Sequence, residues 1–188
     1  MSRFNRLLER FFYHPEEEGT EGLEASLGPE TLGAAGVTES ADYYLGFVLE
    51  SQSYAVPIYE VREIVRARIL TEVPGGPKDV IGILNLRGEI LPVYNVKPRL
   101  RLSAVTPQLA GPTADLNTIP KPARILVVHG RNCDCGIFVD KVIGVIRLRR
   151  SEIESPSSGF DNERDCVLGS VRLDDSVVML LNVNLVVE

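Results

Sequence analysis

Residues Val80–Val96 read VIGILNLRGEILPVYNV: an apolar run, a short polar turn, and a second apolar run. Asn85, Arg87 and Glu89 interrupt what are otherwise two strand-length stretches of Val, Ile and Leu, the composition of paired β-strands. Gly88 lets the chain adopt the positive φ that a tight turn needs. Arg87, at the tip of such a hairpin, is presented rigidly and suits a charge pair or a partner contact. Its expected partner is Glu63, from the charged cluster Glu60-Val61-Arg62-Glu63.

Outward from this hairpin the pattern repeats. Short apolar runs bounded by turn residues fall at Tyr43–Leu49, Tyr54–Ile58, Ile125–Val128, Gly136–Val139, Val142–Leu148 and Val177–Leu181. Only Val61–Val65 and the entry at Pro77–Val80 suggest helical turns. Many short strands with Gly-, Ser- and Asn-bearing turns point to a mainly β protein of small barrels. Residues 103–122 hold four prolines and little periodicity, and read as a surface loop joining two halves.

The halves resemble each other. Leu45–Val65 aligns without gaps on Leu126–Ile146, so that Phe47 meets Val128, Tyr54 meets Cys135 and Val61 meets Val142. Val80–Val96 likewise aligns on Val167–Val183, setting Gly82 on Gly169, Ile90 on Val177 and Asn95 on Asn182. An internal duplication predicts two similar β-subdomains. The turns are unequal: Asn85–Glu89 in one copy stands opposite Arg172–Ser176 in the other, so one turn has a task that the other lacks.

The chain has 188 residues and a formal charge of −6. Residues 1–41 hold three Arg and eight acidic residues, a net of −5, which leaves residues 42–188 at −1. That balance disfavours nucleic acid and anionic membranes as partners. No stretch approaches the roughly 20 apolar residues of a membrane span. The N-terminus lacks the apolar core of a secretory signal, and three cysteines suit a reducing, cytoplasmic setting. Phe4, Leu7, Leu8, Phe11 and Phe12 lie on one face of an amphipathic helix over residues 3–13, followed by an acidic linker to residue 41. This extension reads either as a helix that folds back on the domain or stays disordered, or as a tethered docking peptide. Residues 42–188 form the domain proper.

The ingredients of catalysis do not converge. His14 falls in the linker and His129 at a turn. Cys133-Asp134-Cys135 has no second ligand pair, which argues against zinc; Cys133 reads as a turn residue and Cys135 as core. No phosphate-binding loop or nucleophile elbow is present. The expectation is a protein that is not an enzyme and needs neither metal nor cofactor.

Three segments carry a family resemblance: Val61-Arg62-Glu63-Ile64, the run Val80–Val93 with its Asn-Leu-Arg-Gly-Glu-Ile-Leu-Pro-Val ending, and Gly136–Val142. With them the chain resembles the CheW-like coupling proteins of bacterial chemotaxis. The resemblance implies two SH3-like five-stranded β-barrel subdomains around a shared hydrophobic core, with few short helices. It implies a scaffold without catalytic activity, bridging the cytoplasmic tip of methyl-accepting chemoreceptors to the regulatory domain of a CheA-type histidine kinase. Carried over by position, the receptor groove comprises Val61, Gly82, Arg87, Gly88 and Ile90, with Glu63 and Arg87 as a surface salt bridge. Leu70 and Val73 fall where the family places kinase contacts. A variant reading is a regulator that sequesters only the kinase or only the receptor, in a pilus, gliding or other non-flagellar pathway. Four features depart from the pattern: the N-terminal extension, the loop 103–122, Asn95 where members carry an acid, and an end at Glu188 that shortens the C-terminal helix.

Overall fold

The computed structural model describes residues 41–103, 107–155, 166–173 and 176–187; the expected helix 3–13 and its linker lie outside the described residues. Ten strands follow in order: β1 (Ala41–Leu49), β2 (Gln52–Pro57), β3 (Val61–Arg66), β4 (Val80–Leu86), β5 (Glu89–Tyr94), β6 (Arg124–His129), β7 (Asp134–Val139), β8 (Lys141–Arg149), β9 (Val167–Leu173) and β10 (Ser176–Leu181). A four-residue helix, Val183–Val186, follows. The strands form two five-stranded sheets, ordered β8-β1-β2-β10-β9 and β3-β6-β7-β5-β4.

The duplication is visible strand by strand. Replacing β1–β5 by β6–β10, and the reverse, converts one sheet order into the other. The irregularities repeat too. Arg62 is bulged out of β3 opposite β6, and Ile143, its equivalent, is bulged out of β8 opposite β1. Ile81 and Leu168 are bulged at equivalent points of β4 and β9. Asn95 and Asn182 each accept a hydrogen bond from the backbone N–H two residues on.

The repeats are nevertheless not the subdomains. Each sheet takes two strands from one repeat and three from the other: β1 and β2 join β8–β10, while β6 and β7 join β3–β5. The two expected five-stranded subdomains around a shared core are present, each assembled from strands of both repeats. The reason lies in the central strands, which are apolar on both faces. Leu126 and Val128 of β6 point into a core shared by both sheets, with Phe47, Tyr54 and Ile137. Ile125 and Val127 point the other way, with Leu84, Leu91 and Phe138, inside the second sheet. Ala55, Ile146, Val171 and Leu180 fill the corresponding interior of the first. A strand buried on both sides needs neighbours from both repeats.

Two further expectations change. Val61–Val65 is strand β3, not a helical turn. Val61, Ile64 and Val65 have helical spacing, but the bulge at Arg62 and pairing with β6 set the register instead. Part of the proline-bearing loop is core: Leu109 is buried, and its carbonyl accepts a hydrogen bond from the Leu70 N–H at 2.7 Å.

Candidate functional site: a charged hairpin at the sheet edge

The β4–β5 connection is a two-residue turn. Leu86 pairs with Glu89, and the residues between them, Arg87 and Gly88, have φ of 56° and 92°. Positive φ at both central positions defines a type I′ turn, whose twist matches that of the strands it joins. Asn85 Oδ1 accepts the Gly88 N–H at 3.0 Å, which explains an amide side chain inside an apolar run. Alternation then sends Leu84, Leu86, Leu91 and Val93 inward. Ile90 faces outward and is 66% exposed, a large apolar side chain on a rigid frame.

β3, at one edge of this sheet, is joined to the β4–β5 hairpin at the other by side chains. Arg87 Nη2 lies 3.3 Å from Glu63 Oε2, as expected from the sequence. The Arg87 side chain is 79% exposed, so the pair orients the guanidinium more than it stabilises the fold, being worth about 0–1 kcal/mol. Beside it runs a network that sequence reading missed. Arg62 Nη1 lies 2.6 Å from Glu89 and 2.7 Å from Asp134. Asp134 in turn meets His129 Nδ1 at 2.9 Å. Hydrogen bonds from Arg62 first, and from His129 second, hold the Asp134 carboxyl below the usual range. Contact with Asp134 and then Glu89 raises the Arg62 guanidinium further. The bulge gives Arg62 this reach, and the second repeat has Ile143 in its place. The only trace in the sequence was a charged residue at the bulge position of one repeat and not of the other.

Of the remaining positions, Val61 is half-buried against the shared core. Gly88 is open, with nothing within 4 Å of the position a Cβ would take. Gly82 differs. A Cβ there would lie 2.7 Å from Leu70 Cβ, 3.0 Å from the Thr71 carbonyl and 3.2 Å from Ala110 Cβ. The close approach at this glycine is made by the chain itself, through the bridge Thr71–Ile83. Leu70 is also turned inward, 4% exposed among Leu84, Leu109 and Phe138. Of the two positions that the resemblance places at a kinase contact, Leu70 is thus enclosed and Val73 half-buried, while the neighbouring Ile69 is 43% exposed.

Glu60 is near the site but outside the network. Its Oε2 is buried without a hydrogen-bond partner, and burial pushes its carboxyl upward. Cys133 is exposed and Cys135 buried, with the Cys135 thiol pushed up to about 12, chiefly by burial. Among the described residues, no group of three or more His, Cys, Asp or Glu side chains is arranged to hold a metal. No described helix is long and apolar enough to cross a membrane.

Fold and site together define a class: a duplicated β scaffold that presents a rigid, ion-paired hairpin with an exposed apolar residue beside its tip. The chain belongs to the CheW-like domain family, whose model matches residues 43–188. It is similar to the chemotaxis protein CheW of Helicobacter pylori, 27% identical over 140 residues, covering 74% of this chain and 78% of that one. It is 30% identical over 129 residues to the protein FrzA of Myxococcus xanthus, covering 68% and 73%. Its fold matches the crystal structure of the scaffolding protein TtCheW from Thermoanaerobacter tengcongensis with a TM-score of 0.67, at 26% identity over 79% of this chain and 94% of that one. The protein is a scaffold of chemotaxis-type signal transduction, from a family of non-catalytic adaptors.

Proposed function

We propose that this adaptor couples methyl-accepting chemoreceptors to a CheA-type histidine kinase, working in the cytoplasm at receptor arrays. The receptor's hairpin tip rests on the face carrying Ile90, Gly88 and Arg87, with Val61 at its border and Glu63 orienting the arginine. The observation that carries this reading is Ile90, largely exposed on a strand whose other face is anchored in the core. A receptor that covers it gains about 1–2 kcal/mol from the area removed from water. Ile90→Ser is therefore expected to weaken receptor binding about tenfold, with thermal stability unchanged. Arg87→Glu, which meets Glu63 with a like charge, is expected to uncouple receptor from kinase in a reconstituted array. Full coupling by both variants refutes this face as the receptor site. The kinase contact rests on Ile69 and Val73, since Leu70 is enclosed. That enclosure favours, as a second reading, a regulator that holds the receptor alone. A pull-down with both partners separates the two: an adaptor retains receptor and kinase together, and a sequestering protein retains one.

A further inference from the structure

A second surface lies away from the hairpin, where the end of β3 meets the loop before β6. It is a groove of about 390 Å³ lined by Arg66, Ala67, Leu116, Ile119, Lys121 and Arg124, among others. Ala67, Leu116, Ile119 and Ala123 give it an apolar part, and Leu116 is 59% exposed. Its charge is of one sign. Arg66 and Arg124 stand directly opposite each other in the β3–β6 register, an arrangement that like charges disfavour. Among the described residues, the Arg124 guanidinium donates to the carbonyls of Lys121 and Ala123. Among the described residues, no carboxylate pairs with Arg66, Lys121 or Arg124. In a chain of net charge −6, three uncompensated cations around an apolar pocket fit a segment that is both apolar and acidic.

The chain carries such a segment. Phe11–Glu18 reads FFYHPEEE, aromatic residues followed at once by three carboxylates. We propose that this segment, which lies outside the described residues, docks in cis in the groove. Phe11 and Phe12 would cover Leu116 and Ile119, and Glu16–Glu18 would meet Arg66, Lys121 and Arg124. The intervening linker is long enough. A random coil of about 22 residues spans about 25 Å root-mean-square, against a radius of gyration of about 15 Å for a domain of this size. Tethering supplies an effective concentration in the millimolar range, so a weak contact suffices. The groove is built largely by the loop 107–123, and both this loop and the extension depart from the pattern of the CheW-like resemblance. Docking gives the two additions a common purpose and does not depend on the partners proposed above.

Zero-length carbodiimide coupling of the full-length protein, mapped by mass spectrometry, tests this. The chain has four lysines, Lys78, Lys97, Lys121 and Lys141. The expected product is an amide between Glu16–Glu18 and Lys121 in the monomer. Its yield should fall about fivefold in Phe11→Ser/Phe12→Ser, and about as far in Arg66→Glu/Arg124→Glu. Coupling to Lys78 and Lys141 as often as to Lys121 overturns the proposal. So does coupling confined to a covalent dimer, which assigns the groove to a second copy. The phenylalanine variant leaves residues 41–187 untouched, so an unchanged yield in it is decisive even if the arginine variant fails to fold.

Discussion

Substituting Gly82 by alanine separates two uses of one glycine. Were the missing side chain there to admit a receptor helix, Gly82→Ala would lower receptor affinity and leave the fold alone. The structure requires the opposite order of effects. Gly82 has φ of 151°, a conformation that L residues rarely adopt, and a Cβ would lie 2.7 Å from Leu70 Cβ. Neither Leu70 Cβ nor the Thr71 carbonyl can swing aside, because Leu70 is buried and Thr71 is hydrogen-bonded both ways to Ile83, at 2.8 and 2.9 Å. Backbone strain costs about 1–3 kcal/mol and overpacking about 1–3 more, so the loss is about 2–6 kcal/mol. For a domain of this size each kcal/mol lowers Tm by about 2–4 °C, and a fall near 10 °C is expected. Gly88→Ala is the control. It has φ of 92° but open space, so only the strain remains, about 1–3 kcal/mol. Thermal and urea unfolding of the full chain, alongside receptor binding well below Tm, provide the comparison. A Gly82→Ala protein that melts with the parent but has lost receptor binding refutes the packing argument. Gly169 occupies the equivalent place beside the bridge Glu154–Ser170, with the Glu154 carbonyl 2.7 Å from its Cβ position. Gly169→Ala should therefore be destabilising although it lies outside the proposed receptor face.

Leu109→Ala should cost about 2–5 kcal/mol in urea unfolding, a core penalty from a residue in a loop. The Asp134 carboxyl is held below its ordinary range, so its contribution to stability is complete above the unfolded value and is lost as pH falls through the folded one. Below the usual carboxylate range the urea midpoint should decline more steeply in the parent than in Asp134→Asn, and equal slopes would show that the network does not stabilise the fold. A thiol reagent at neutral pH should label one cysteine quickly, Cys133, and three after denaturation, because Cys135 and Cys166 are buried and the Cys135 thiolate is suppressed. Rapid labelling of all three native thiols would contradict the packing of the shared core.

Much of this molecule was legible in contiguous residues. The alternation of Leu84, Leu86, Leu91 and Val93, the Asn85-to-Gly88 turn and the Glu63–Arg87 pair follow from strand periodicity and turn chemistry. The duplication was legible because equivalent strands keep equivalent patterns, down to Asn95 and Asn182. The environment of Leu70 was not, since an apolar residue after a charged stretch is equally suited to an interface or to a core. Nor was the Arg62–Asp134–His129 network, whose members are up to 72 residues apart and meet only across the β3–β6–β7 ladder.

By itself the sequence determined most of the strands, their turns and their twofold repetition, because alternation and positive-φ turns are set by a few neighbouring residues. Only the tertiary structure decided that each sheet borrows strands from both repeats, that Gly82 is filled by its own chain, and which charges meet at the hairpin. Those outcomes depend on burying both faces of β2, β6 and β7 at once, a condition that no single segment of the chain can state.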